Sequence, residues 1–290
     1  MIALLNGMWF ILLVAGIMVL TNLVNAKGYL VPFYKFLQKR IKSKRLLIAL
    51  ISAVSGVLPI PGRTIISAGA LDTLAPNDDR RKNYGIINYL STHHYYLWSP
   101  LEATVLIPLS VLGISYWQFL SMVAPLLVTV IAITLYYIFF QLKESDVVIN
   151  KIEQVEQKVN PFKIKWDVLL FVGIVILAGN AIKMYSDSIL DFLMLFNHSI
   201  FFAGVISFVS SFILGSSSKF AGVTTLLVSV FGINYLPLLF SLGYAGYLIS
   251  PTHKCLVITK TYFNLSMRLY RILLVISAAL IIVGYLSVKN

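Results

Sequence analysis

The residues able to do chemistry in this 290-residue chain stand beside two Ser-Pro dipeptides and two short polar tips. Glu102 follows Ser99-Pro100, while Thr252 and His253 follow Ser250-Pro251, and no other Ser-Pro occurs. Gly62, Arg63 and Thr64 close the tip that starts at Leu58-Pro59-Ile60-Pro61, and Lys219 closes Gly215-Ser216-Ser217-Ser218. Arg63 and Lys219 thus hold comparable ends of two tips, as Glu102 and His253 hold comparable places after two breaks. Two cations directed at one polar cavity favour an anion, most simply a carboxylate gripped in part by the planar Arg63 fork. The hydroxyls of Thr64, Ser99, Ser216, Ser217, Ser218, Ser250 and Thr252 add neutral donors and acceptors. Glu102 can pair with Arg63 or Lys219, bind a coupling ion or exchange a proton, and His253 can titrate near neutrality. These twelve residues are the expected substrate- and ion-binding set. No catalytic residue is expected among them, and the competing explanation is a structural ion pair of Glu102 with one of the two cations.

Other polar residues read more plainly. His93-His94 would need a further nearby ligand to hold a metal, and no spaced motif such as HExxH is present. No metal site and no resident cofactor is therefore expected, only a coupling sodium ion or proton. Cys255 is the single cysteine, so it forms no internal disulfide and reads as a small core residue. Lys254 reads equally well as a cytoplasmic anchor whose stem snorkels. Asp78-Asp79-Arg80-Arg81 reads as a solvated loop.

Elements able to position these residues must lie in a bilayer. Apolar residues make up 59% of the chain and charged ones 12%, about half the usual supply for a wet surface. A formal charge of +12 would fit nucleic acid, but 18 of the 23 cations fall in 25–45, 76–83, 142–165 and 260–271. Those places can share one side of a membrane, so the charge is a topology signal and nucleic acid is excluded as a partner. Residues 2–24 lack a basic stretch before them and read as a spanning helix rather than a signal peptide. That puts the N-terminus outside and the basic loops 25–45, 76–83 and 142–165 in the cytoplasm. Within the linker 142–165, Val148, Ile152, Val155 and Val159 recur at helical spacing, the mark of an interfacial amphipathic helix.

The chain also repeats itself. Trp9, Leu12, Leu13, Gly16, Ile17 and Leu20 return as Trp166, Leu169, Leu170, Gly173, Ile174 and Leu177. Tyr96-Leu97-Trp98-Ser99-Pro100 returns as Tyr247-Leu248-Ile249-Ser250-Pro251. Two units follow, 1–141 and 166–290, joined by the linker 142–165. Each reads as a spanning helix, a re-entrant hairpin, a broken helix and a final spanning helix. The hairpin tips lie near 58–64 and 215–219, and the breaks near 99–100 and 250–251. Pieces of 12–15 residues reach only about 18–22 Å, too short to span. Three crossings per unit invert the second unit against the first, the plan of secondary transporters. The expected fold is an all-α polytopic membrane protein of two inverted-topology repeats.

Leu58-Pro59-Ile60-Pro61-Gly62 and His94-Tyr95-Tyr96-Leu97-Trp98-Ser99-Pro100 resemble the first half of an uncharacterised prokaryotic integral-membrane family, a domain of unknown function. Gly246-Tyr247-Leu248-Ile249-Ser250-Pro251-Thr252-His253-Lys254-Cys255-Leu256-Val257, ending in Tyr262-Phe263, resembles its second-half signature. That family is related to gluconate permeases within the ion transporter superfamily of citrate and dicarboxylate carriers. The resemblance implies an elevator-type carrier, usually a homodimer, whose hairpins and broken helices move against a scaffold. The Ser-Asn-Thr tips of sodium–dicarboxylate carriers are replaced here by Pro61-Gly62-Arg63-Thr64 and Ser216-Ser217-Ser218-Lys219, which leaves proton coupling open.

The first expectation is accordingly a secondary active transporter of a small organic anion in the inner (plasma) membrane, with lipid and a second copy as its other partners. The alternatives are an intramembrane metal-dependent enzyme built on His93, His94, Glu102 and His253, and a non-transporting membrane subunit that keeps the fold.

Overall fold

A computed structural model describes residues 30–57, 63–72, 74–76, 80–142, 200–265 and 267–288, with helical positions at 11–12, 15–16, 19, 23, 166, 169–170 and 173–178. Among the described residues every regular element is helical. In chain order, α1 is Leu30–Arg40, α2 Lys44–Val57, α3 Arg63–Asp72, α4 Arg81–Ser91, α5 Ala103–Leu112 and α6 Tyr116–Tyr136. The second half supplies α7 Ile200–Leu214, α8 Ser217–Phe231, α9 Leu236–Ile249, α10 Lys254–Tyr262 and α11 Arg268–Leu286. Residues 143–165, the tip residues 58–62 and most of 2–24 lie outside the described residues, and with them the expected linker helix.

Local chemistry explains where these helices stop. Pro251 brings no N–H to continue a helical ladder, so α9 ends just ahead of it, whereas α4 ends at Ser91 and a 3-10 turn, His94–Leu97, leads to Pro100. The carbonyls freed at the first break are taken up by side chains. Thr104 Oγ1 donates to the Tyr96 carbonyl at 2.7 Å, and the Tyr116 hydroxyl donates to that of Trp98 at 2.7 Å. α6 then starts on a capping box: Ser115 Oγ accepts from the Gln118 amide at 3.2 Å, and Gln118 Oε1 accepts from the Ser115 amide at 2.8 Å. It ends in a π turn, Tyr137–Gln141, whose last carbonyl accepts from Asn83 Nδ2 at 3.1 Å. α7 ends at Gly215, whose φ of +53° is the left-handed conformation that glycine adopts without strain.

The basic segment 25–45, read from its charge as a loop, contains α1. Tyr34 is buried there and the Arg40 guanidinium lies 5.6 Å above the Phe36 ring. A count of cations hides that amphipathic pattern.

Packing is reciprocal between the two halves of the chain. α5, which follows the first break, lies against α8, the second arm of the second hairpin; α10, which follows the second break, lies against α3, the second arm of the first. α9 is buried along nearly its whole length, between α7, α8 and α11. A Cβ at Gly246 would run into the Phe208 backbone of α7, so the missing side chain is what lets the two helices touch. Phe240 and Phe220 stack edge to face with centroids 5.3 Å apart, and Phe119 meets Phe240 at 5.5 Å, tying α6, α8 and α9 into one core.

Tyr116–Gln141 and Leu269–Leu286 are each long and apolar enough to cross a membrane, with a mean hydropathy of 2.3. Large apolar side chains stand exposed along these segments and α7, among them Trp117, Phe140, Phe201, Phe202, Val275 and Leu286. A surface of that kind points to a membrane location.

Candidate functional site

The second tip and the second break are built into one another. Ser250 Oγ donates to the Phe212 carbonyl at 2.6 Å and Thr252 Oγ1 donates to the Ile213 carbonyl at 3.0 Å. Two carbonyls left over at the end of α7 are thereby satisfied by the motif that interrupts the broken helix. The Ser250 and Thr252 hydroxyl oxygens lie 2.9 Å apart. Gly215 sits so close that a Cβ there would meet Thr252 Oγ1, Ser250 Oγ and the His253 amide. Ser216 forms the N-cap of α8, with Ser217, Ser218 and Lys219 in its first turn. Ser218 is buried and Ser216 Oγ lies 3.4 Å from its hydroxyl, whereas the Lys219 side chain is exposed.

In the first half, Thr64 is buried at the start of α3 and Asn88 of α4 reaches it. Asn88 Nδ2 donates to the Thr64 carbonyl at 3.4 Å and to Thr259 Oγ1 of α10 at 3.2 Å, so one amide ties both halves. The buried atoms Ser52 Oγ, Thr64 Oγ1, Ser67 Oγ and Asn88 Oδ1 have no hydrogen-bond partner among the described residues. Ser99 is buried, and Glu102 is half-buried at the N-cap of α5 with an extended backbone. Gly62 lies outside the described residues, and of Arg63 only the backbone, as the first residue of α3, is described.

Between the halves runs an aromatic seam. Tyr96 and Tyr247, equivalent in the repeated motif, meet edge to face at 5.5 Å, and the Tyr244 hydroxyl donates to the His93 carbonyl at 3.0 Å. His93 and His253 are fully buried there, with their Nε2 atoms 3.2 Å apart. The hydrogen-bond network assigns the tautomers. His93 Nδ1 lies 2.5 Å from the Tyr89 carbonyl, and a carbonyl only accepts, so Nδ1 carries a proton. The Tyr89 hydroxyl donates to the Leu248 carbonyl at 2.6 Å and accepts from His253 Nδ1 at 2.9 Å; the same Nδ1 also donates to the Tyr247 carbonyl at 3.2 Å. With Nδ1 protonated on both rings, the two Nε2 atoms face each other at 3.2 Å, a spacing that a shared proton or a shared metal ion bridges. Cys255 of α10, half-buried, completes a group whose ligand atoms all lie within 4.8 Å of one another.

The polar island 72–83 is held by Arg81. Its guanidinium pairs with Asp72, donates to the Tyr262 carbonyl at 3.4 Å and lies 5.9 Å from the Phe263 ring. Burial raises the Asp72 carboxyl above its usual range, and the Arg81 charge works against that rise. The run 78–81, expected as a solvated loop, is described only at Arg80 and Arg81. A separate cleft of about 640 Å³ opens between α6 and α11 beside Ile133, Tyr137, Arg271 and Ile276, away from every expected site residue.

Several participants escape a reading along the chain. Asn88, Tyr89 and Thr259 sit inside helices with no motif around them, and Cys255 looks like packing. His93 and His253 carry the one usable signal, since each stands within a few residues of a Ser-Pro break.

No curated protein and no solved structure matches the chain. One family model, described as a protein of unknown function (DUF401), matches residues 1–164, more than half of the sequence. Its match takes in the first hairpin, the first break and α6, and on that match the chain belongs to this family of proteins of unknown function.

Proposed function

We propose that this chain is a secondary active transporter of a small organic anion, most simply a carboxylate, coupled to a sodium ion or a proton. It is polytopic in the inner (plasma) membrane and works by alternating access. Two inverted repeats supply hairpins and broken helices that move elevator-fashion against a scaffold, in a homodimer. The relation to gluconate permeases and citrate and dicarboxylate carriers belongs to this reading.

The observation that carries it is the exchange of arms between the halves, α5 against α8 and α10 against α3. A pseudo-two-fold relation between inverted repeats brings interrupted helices and hairpins together in this way. Non-helical backbone at membrane depth is tolerated where protein or a polar cavity satisfies it. The hydroxyls of Thr64 and Ser67 on α3 and of Thr225 on α8 have no partner among the described residues. Buried polar atoms without partners are rare in a finished core and suit a ligand that supplies the missing hydrogen bonds.

The test is a thermal-shift screen of small carboxylates on purified protein, with and without sodium and at two pH values, followed by uptake into proteoliposomes. Saturable uptake is expected, with affinity lost in Arg63→Ala and Lys219→Ala. Retained affinity in both variants would remove this site, and a chain that shifts with no anion is not a carrier of this class.

A further inference from the structure

We propose that His93, His253 and Cys255 form a transition-metal site of the zinc class at the seam between the two halves. Both rings spend their Nδ1 proton on other partners, so a 3.2 Å contact between the Nε2 atoms calls for a cation between them, a proton or a metal ion. Nitrogens bound to one tetrahedral zinc at their usual bond length stand about 3.3 Å apart, which is the spacing found. The matching nitrogen–sulfur edge is about 3.5 Å. Cys255 Sγ and one ring nitrogen of each histidine lie within 4.8 Å of one another, which puts the thiol beside the pair.

The surroundings are those of a ligand pair. Each imidazole gives its other N–H to backbone carbonyls, Tyr89 for His93 and Tyr247 for His253. Those bonds fix the ring orientation and leave Nε2 as the atom that would meet a metal. Tyr247 stacks on His253 at 4.0 Å and Tyr89 packs against His93 at 4.2 Å, so neither ring turns freely. Two imidazoles and a thiolate select zinc or copper(I) over sodium or magnesium, which take oxygen ligands. The site is therefore distinct from a sodium site. Three protein ligands leave a fourth position for water or an anionic ligand.

His93 and His253 come from opposite halves, so the metal would fasten the seam beside the second break. His94, the neighbour of His93, plays no part: its ring stacks on Trp98 and its Nδ1 accepts the Trp98 indole N–H at 3.0 Å.

Full-length protein in detergent, freed of any affinity tag and stripped with chelator, is titrated with CoCl2 and then with ZnCl2. One Co2+ per chain is expected, with a thiolate-to-cobalt absorption band in the near ultraviolet that Zn2+ abolishes. His93→Gln and His253→Gln should each weaken binding about 100-fold or more, while His94→Gln matches the parent. Cys255→Ser should retain weaker binding without the thiolate band. Unfolding midpoints of the metal-free variants separate a lost ligand from a lost fold; if both glutamine variants fail to fold, the Cys255→Ser spectrum decides. Absence of Co2+ and Zn2+ uptake at micromolar concentrations, as for a histidine pair that shares only a proton, overturns the site. So does parent-like affinity in His93→Gln or His253→Gln, or a parent complex without the thiolate band.

Discussion

Tyr96 and Tyr247, the opening residues of the two Tyr-Leu-x-Ser-Pro motifs, meet ring to edge with centroids 5.5 Å apart at 90°. Their contact marks where the two halves of this protein meet, and the histidine pair lies beside it.

Tyr247 also packs on Phe220 at 5.3 Å and on His253 at 4.0 Å. Tyr247→Ala should cost about 3–5 kcal/mol of stability by opening a cavity that three elements line. Tyr247→Phe keeps the ring and should cost under about 1.5 kcal/mol. Denaturant unfolding in micelles, followed by tryptophan fluorescence, reads the difference. Equal losses in the two variants would mean that the hydroxyl, not the packing, holds the seam.

A second expectation concerns the docked tip. Ser250→Ala removes the donor to the part-buried Phe212 carbonyl and leaves that oxygen without its side-chain partner, at a cost of about 1 kcal/mol. Gly215→Val adds strain at a positive φ and a clash with Thr252, so its loss should be the larger. Hydrogen exchange at the end of α7 should accelerate in both variants. Unchanged exchange there would show that the tip does not depend on the break.

Helix approach makes Gly246 sensitive. Even Gly246→Ala should push α9 from α7 and cost about 1–3 kcal/mol, because the obstacle is Phe208 backbone and cannot swing aside. A thermal midpoint equal to that of the parent would contradict the close contact.

The Asp72–Arg81 pair predicts a pH dependence. Burial holds the Asp72 carboxyl above its unfolded value of 3.8, so its proton is bound more tightly in the folded state. Its contribution to stability is present below that value and fades as pH rises through the higher folded value. Removing Arg81 takes away the charge that opposes the rise. Arg81→Ala should therefore lose more stability near about pH 7 than near about pH 4, and adding Asp72→Asn should flatten the difference. A pH-independent loss would assign the effect of Arg81 to Tyr262 and Phe263 alone.

Membrane sidedness can be read directly. In a Cys255→Ser background, an impermeant maleimide applied to whole cells should label Ser115→Cys and spare Lys82→Cys. The reverse pattern would invert the orientation inferred from the basic segments.

Pattern along the chain accounts for a good part of the architecture. Pro251 removes a backbone donor, Gly215 supplies a left-handed turn, and runs such as Tyr116–Tyr136 have neither charge nor competing periodicity, so those element ends follow from local chemistry. α1 is the exception, because a dense row of cations masks the apolar face around Tyr34. The seam has a different origin. His93 and His253 stand 160 positions apart, as Asn88 and Thr259 stand 171 apart, and their meeting depends on how helices cross. Crossing is decided by side-chain volume at each contact, such as the missing Cβ of Gly246, and by the exchange of α5 and α10 between the halves. Local sequence determines where the chain turns and breaks. The packed fold alone turns a histidine that reads as incidental and a cysteine that reads as filler into neighbours with their ligand atoms converging.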